Sequence, residues 1–211
     1  MLIDAIVLAG GRSSRLGSVP KAGLIYQEQS LLSRTVAATA GAARQTVVVG
    51  DVGPVDLPLG VLVTRENPPF SGPVSGIGAG LDALATHDAR PSDYLLVLAC
   101  DMPAVESAVR CLFENLTGDA DGFIAIDENQ RLQPLAAVYR TESLAGALVS
   151  SRRSGGLGGL PVFRLIADLR LTPVDVPAGS TDDVDTWADA ERFGIRSPHV
   201  HTLVDVEPVN E

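Results

Sequence analysis

Apolar residues in this chain come as short dense runs set between longer stretches of helical spacing. Residues 3–8, 46–49, 60–63, 94–99 and 122–126 are nearly continuous in apolar side chains. Runs without polar alternation fit strands covered on both faces, as in a parallel sheet, rather than strands with one wet face. Between the first two runs, Leu31, Leu32, Thr35, Val36 and Thr39 recur three and four residues apart, with Ser30 placed to cap a helix and Gly41 to end it. Residues 73–85 and 105–116 carry similar helical patterns. The alternation predicts an α/β fold, a three-layer αβα sandwich around a Rossmann-like, mostly parallel sheet.

The pattern changes after Gln130. Residues 135–139 read as a strand that follows a turn, and this is the one strand expected to run antiparallel. Residues 144–149 and 160–169 read as helices flanking a glycine-rich stretch at 152–159, a candidate lid; residues 171–176 read as a last strand and 186–193 as a closing helix. Residues 1–195 are expected to form a single domain, and 196–211 a polar, acidic tail.

Composition narrows the functional classes. With 211 residues and 45% hydrophobic content there is ample material for one core. No apolar run reaches the roughly 18 residues of a membrane helix, and no basic leader precedes the first strand, so a cytoplasmic protein without a membrane partner is expected. Cys100 and Cys111 match neither a zinc knuckle nor a CxxC pair, and both are expected to be reduced. The 16 Lys and Arg stand against 26 Asp and Glu, a formal charge of −10, which argues against a nucleic-acid partner.

Against that acidic background, the first strand runs straight into Ala9, Gly10 and Gly11, followed by Arg12, Arg15 and Lys21. Glycines at the carboxyl end of a buried strand let backbone N–H groups approach an anion closely, and the three cations supply local positive charge. The segment reads as a cradle for a discrete polyphosphate. A glycine turn with solvated cations and no ligand is the competing structural account.

Asp101 lies just past the strand at 94–99 and before Pro103, where it either holds a hard cation beside the phosphates or caps the next helix. Asp183 and Asp185 alternate as in an extended segment, so both are placed to share that cation or to serve the closing helix as caps. Gly72, Gly76 and Gly80 recur every fourth residue, which suits either close approach of a flat ligand or close helix packing. The Asn67 amide offers donors and an acceptor for a base or ribose. A Gly-x-x-x-x-Gly-Lys-Ser/Thr loop is absent and Gly-x-Gly-x-x-Gly is not matched, which argues against a P-loop ATPase and a dinucleotide-dependent dehydrogenase.

The loop from Leu8 to Gly17 with Lys21 resembles the signature of nucleotidyltransferases that transfer NMP from an NTP. With Ser71 to Ile77, Cys100-Asp101-Met102-Pro103, Gln133 to Tyr139 and Asp183 to Thr186 in the same order, the chain resembles the molybdenum cofactor guanylyltransferase family, MobA-like NTP transferases, over about residues 1–195. That resemblance implies that Leu8, Ala9, Gly10, Gly11, Ser13, Lys21, Asn67 and Asp101 bind the nucleotide. It implies that Arg15 and Lys21 contact phosphate, that Asp101 binds Mg²⁺ with Asp185 as a further metal position, and that Arg15, Gly72, Gly76 and Asp183 meet the acceptor. Some relatives carry two asparagines where this chain has Asp183 and Asp185.

The activity so implied is transfer of GMP from GTP to the terminal phosphate of molybdopterin, with release of pyrophosphate. Cytidylyl transfer to the pterin, a sugar-phosphate or phospholactate-like acceptor, and a catalytically idle nucleotide-binding adaptor are the rival readings. A monomer or weak homo-oligomer is expected, with transient contacts to molybdopterin-handling proteins or molybdoenzyme maturation factors.

Overall fold

The computed structural model describes residues 1–11, 14–17 and 19–198. In chain order these form β1 (Ile3–Ala9), β2 (Ile25–Tyr26), β3 (Gln29–Ser30), α1 (Leu31–Thr39), β4 (Gln45–Gly50), β5 (Leu62–Thr64), α2 (Pro73–His87), β6 (Tyr94–Ala99) and α3 (Val105–Glu114). They continue with β7 (Gly122–Ile126), β8 (Leu132–Arg140), α4 (Thr141–Ser154), α5 (Val162–Leu165), β9 (Leu171–Asp175) and α6 (Trp187–Phe193).

Seven strands form one sheet in the order β5-β4-β1-β6-β8-β7-β9. β8 runs antiparallel to both its neighbours, and the remaining pairs are parallel. The single reversed strand is the one expected at 135–139, extended at both ends.

The continuous apolar runs are explained by burial on two faces. Ile6 and Leu8 point to one side, where they meet Val74, Ile77 and Leu84 of α2 in a core that also takes Leu144 and Leu148 of α4. Ala5 joins Leu96, Leu98 and the Val105, Val109 and Leu112 face of α3. Val7 packs with Val48 against Leu32 and Val36 of α1. Each such aliphatic side chain contributes about 1.5–3 kcal/mol when buried, so both helical layers are held by the same alternation that the strands present. Where α2 crosses β1 the fit is tight: a Cβ at Gly76 would lie 3.0 Å from Leu8 Cδ2, and one at Gly80 would lie 2.9 Å from Ile6 Cγ2. Helix-to-sheet contact thus accounts for the later glycines of the stripe. Asp4 is buried and held by Arg44, whose Nε and Nη2 donate to its two oxygens at 3.0 and 2.8 Å. Pairing of this kind is what a buried carboxylate requires.

Ser30 caps α1 as expected, its hydroxyl accepting from Ser33 N at 3.0 Å. The helix expected at 160–169 is a single turn, Val162–Leu165, because the chain closes an i to i+3 turn from Leu169 N to Ile166 O at 3.0 Å instead of extending. The β2–β3 hairpin was not anticipated, since two-residue strands have no measurable period; Gln27 and Glu28 turn it with φ of 47° and 65°. The glycine-rich stretch, the candidate lid, does not line the crevice of the sheet. Arg152 pairs with Asp82 at 2.6 Å, and Gly159 N donates to Ser71 O at 2.8 Å, which pins it along α2.

The chain leaves β1 for β4 and β5 on one side, then crosses back to β6 on the other. The carboxyl ends of β1 and β6 therefore open a crevice at a topological switch point, where open α/β sheets bind their ligands. No helix among the described residues is long and apolar enough to cross a membrane. Beyond α6, Arg196 pairs with Ile25 through two backbone hydrogen bonds of 2.8 and 2.9 Å. Of the expected tail, residues 199–211 lie outside the described part.

Candidate active site

Gly10 and Gly11 leave the end of β1 at the crevice, and only Gly11 of the pair takes a positive φ, 156°. The end of β4 presses on them: a Cβ at Gly50, where φ is 133°, would lie 2.7 Å from Gly10 N. Two 3-10 turns follow, Ser14–Leu16 and Lys21–Gly23. Leu16 and Leu24 anchor this loop in a small core with Leu31, Val184, Ala190 and Ile195. That core draws the C-terminal segment against the N-terminal loop.

The consequence is a charged cluster. Lys21 Nζ donates to Asp101 Oδ2 at 2.8 Å and to Asp185 Oδ1 at 2.5 Å. Arg15 Nη1 lies 3.4 Å from Asp185 Oδ2 on the exposed side. Val184 N donates to Asp101 O at 3.0 Å, so the extended segment is tied to the end of β6 with Val184 buried and Asp183 and Asp185 turned outward. Asp101, Asp183 and Asp185 each offer a carboxylate oxygen, and these lie within 4.8 Å of one another. The capping alternatives fail: Ala104 is the N-cap of α3, and Thr186 caps α6 in a reciprocal box with Asp189.

Electrostatics follow from the packing. Burial works to lower the Lys21 pKa, but the charges and hydrogen bonds of Asp101 and Asp185 more than offset it and hold the ammonium at about 12. Partial burial, then the like charges of Asp101 and Asp185, push Asp183 above the usual carboxylate range. Burial also drives the Cys100 thiol upward, which makes it inert.

Around the cluster lies a cleft of about 810 Å³. Leu8, Ala9, Gly10, Gly11, Arg15, Lys21, Gly72, Gly76, Asp101, Asp183 and Asp185 all line it. Asn67 does not; it lines an adjoining groove beside α2, next to a cis Asn67–Pro68 bond. Ser13 lies outside the described residues. Sequence reasoning missed Asp51, Arg65, Asp127 and Arg131, which also line the cleft, as do Glu66 and Gln133. Asp51, Arg65 and Asp127 each stand one residue past a strand, at the edge where Gly10 follows β1. The strand-end argument that selected Asp101 would have found them too. Arg65 pairs with Asp51 at 2.9 Å, and Glu66 Oε1 accepts from Phe70 N at 2.9 Å.

The three aspartates form a donor set of hard oxygens, which suits a divalent cation such as Mg²⁺ or Mn²⁺. Lys21 already neutralises part of that charge, so such a cation and the lysine compete for the same carboxylates.

Residues 5–164 match the family model described as the MobA-like NTP transferase domain. A probable molybdenum cofactor guanylyltransferase of Clostridium perfringens is 32% identical over 137 residues, 65% of this chain and 65% of that protein. The chain thus spans slightly less than two thirds of the length of that relative. A molybdenum cofactor guanylyltransferase of Bordetella petrii is 30% identical over 161 residues, covering 72% of this chain and 78% of the relative. Among solved structures, a nucleotidyl transferase from Methanothermobacter superposes with a TM-score of 0.68 at 21% identity, over 91% of this chain and 95% of that one. With the signature loop, the reversed strand and the carboxylate cluster in one chain, this protein belongs to the MobA-like NTP transferase family.

Proposed function

We propose that the chain transfers GMP from Mg²⁺-bound GTP to the terminal phosphate of molybdopterin, releasing pyrophosphate. The observation that carries this reading is the bridge from Lys21 to Asp101 and Asp185, set beside the glycine loop at the switch point. The family match and the names of the relatives from Clostridium and Bordetella support the same activity.

In this reading the backbone of Leu8 to Gly11, with Ser13, receives the triphosphate. Lys21 and Arg15 turn from their carboxylates to the phosphate oxygens and stabilise charge on the departing pyrophosphate. Asp101 and Asp185, with Asp183 adjacent, would hold Mg²⁺, which supplies Lewis-acid polarisation of phosphate oxygens. An acceptor phosphate oxygen attacks the α-phosphorus as the bond to the β-phosphate oxygen breaks, so no enzyme-bound intermediate is needed. The cleft walls do their work by orientation. Gly72, Gly76 and Asp183 meet the acceptor, and Asn67 reaches the nucleotide from the adjoining groove. The reaction is assigned to the cytoplasm, in a monomer or weak homo-oligomer that meets molybdopterin-handling proteins transiently.

Pyrophosphate release by the purified protein with Mg²⁺, molybdopterin and either GTP or CTP tests the assignment. The expected outcome is turnover with GTP and a larger rise in melting temperature with GTP than with CTP. Turnover with CTP alone, or with a sugar phosphate in place of the pterin, would replace the assignment with one of its rivals.

A further inference from the structure

Four cations line the cleft among the described residues: Arg15, Lys21, Arg65 and Arg131. The first three are ion-paired to cleft carboxylates, Arg15 and Lys21 to Asp185 and Arg65 to Asp51. Arg131 is exposed; its charge acts on Asp127 at the start of the same turn, but its guanidinium makes no close ion pair or hydrogen bond to the described residues. In a cleft where carboxylates outnumber cations, a guanidinium whose donors are not taken up by a carboxylate is available to an incoming anion.

Its position is fixed by local structure. Arg131 sits on the turn between β7 and β8, which is wrapped around one side chain: Asp127 Oδ1 accepts from Asn129 N at 2.9 Å and Arg131 N at 2.8 Å. Asp127 Oδ2 accepts from Gln133 Nε2 at 3.1 Å. With those bonds made, the Asp127 carboxylate is occupied by the turn itself. Next to the turn the β7–β8 pairing slips, from Ala125 opposite Gln133 to Ile124 opposite Ala137, a bulge in which Pro134 to Ala136 have no partner in β7, while Ala136 stays opposite Leu98 of β6. The fully buried Tyr139 donates its hydroxyl to Pro134 O at 2.8 Å and locks that bulge. Bulges of this type re-aim side chains next to active sites.

The sheet order gives the turn its role. β8 and β7 lie beyond β6, on the opposite side of it from β1, so the end of β6 with Asp101 stands between the glycine loop and Arg131. The nucleotide's phosphates and Arg131 are thereby on opposite flanks of the metal-type cluster, as donor and acceptor must be in an in-line transfer.

We propose that Arg131 holds the phosphate monoester of the acceptor, its planar fork on two phosphate oxygens while the third attacks. The third oxygen forms the new bond to the α-phosphorus, the bond to the bridging oxygen of the β-phosphate breaks, and pyrophosphate leaves with the electron pair. The assignment rests on the nucleotidyl-transfer reading above. It adds an acceptor-binding residue that neither the glycine loop nor the aspartates supply.

The test is steady-state kinetics of R131A and R131K with molybdopterin varied at saturating MgGTP, alongside GTP affinity by calorimetry and melting temperature. Expected for R131A is a rise of about tenfold or more in the acceptor KM, with kcat within threefold of wild type and GTP affinity unchanged. R131K, which keeps the charge and loses the fork, should recover only part of it. Inorganic phosphate should compete with the acceptor in wild type and lose that competition in R131A. An unchanged acceptor KM in R131A, or a loss of GTP affinity that parallels the kinetic defect, overturns the assignment. If wild type itself transfers nothing to molybdopterin, the functional reading fails and this assignment falls with it, an outcome distinct from an active enzyme indifferent to Arg131.

Discussion

Lys21 and Asp101 stand 80 positions apart in the chain and 2.8 Å apart in the fold, each about four-fifths buried. The pair joins the end of the glycine loop to the end of β6, and Asp185 closes it from the C-terminal segment at 2.5 Å. A cationic side chain here holds together carboxylates that would otherwise repel.

Lys21→Ala should lower nucleotidyl transfer by about 100-fold or more, the usual scale for removing one preorganised charge contact. It should also remove the competitor for Asp101 and Asp185, so Mg²⁺ without nucleotide should raise the melting temperature of the variant more than that of wild type. Equal shifts in differential scanning fluorimetry would show that the lysine and the cation do not share these carboxylates.

Gly80→Ala separates packing from ligand binding in the glycine stripe. Its Cβ would lie 2.9 Å from Ile6 Cγ2 in a dense core, so a loss of about 1–3 kcal/mol in stability is expected from overpacking. Gly72 lines the cleft at the start of α2, where an added Cβ has no neighbour closer than 3.8 Å but φ of 94° strains any side chain, so its glycine is required by the backbone and not by packing. Urea unfolding of Gly80→Ala together with its GTP affinity checks this; a variant as stable as wild type, or one that loses GTP affinity while folded, would refute the packing role of Gly80.

Tyr139→Phe leaves the Pro134 carbonyl without its partner inside the sheet. A cost of about 1 kcal/mol is expected for losing a hydrogen bond to this part-buried acceptor. Because the bulge beside Arg131 loosens as well, the acceptor KM should rise with little change in GTP affinity. Chemical denaturation and steady-state kinetics on the same preparation read both effects.

Asp127 gives a pH signature. The Arg131 backbone N–H, then that of Asn129, the Gln133 amide and the Arg131 charge, hold its carboxyl below the usual carboxylate range. A pKa lower in the folded than in the unfolded state means that its contribution to stability is present above the unfolded value of about 3.9 and is lost as pH falls through the folded one. Asp127→Asn should therefore be less stable than wild type at pH 7, and the gap should close as the pH falls through the folded-state pKa. A gap that does not change with pH would mean that charge plays no part in holding the turn.

Much of the molecule was legible in advance where local chemistry is decisive. The runs at 94–99 and 122–126 coincide with β6 and β7 because a strand buried on both faces has to be apolar at every position. Ser30 announced α1 because a hydroxyl is needed to satisfy the N–H groups of its first turn. Asp101 was visible from its place after a buried strand, and the same rule applied to Asp51, Arg65 and Asp127 would have widened the site. The β2–β3 hairpin and the single turn of α5 were not legible, since neither is long enough to show a period.

By itself the sequence determined the α/β class, the reversed strand and the glycine turn after the first strand, all of which depend on contacts between near neighbours and on which faces must be dry. The tertiary structure alone decided that Lys21 meets Asp101 and Asp185, because that meeting depends on Leu16, Leu24, Val184 and Ile195 sharing one small core across most of the chain. It also showed that Arg131 is the one cleft cation among the described residues whose guanidinium makes no direct ion pair, its charge acting on Asp127 without contact. Side chains so distant in sequence carry no shared local pattern; only packing brings them within reach.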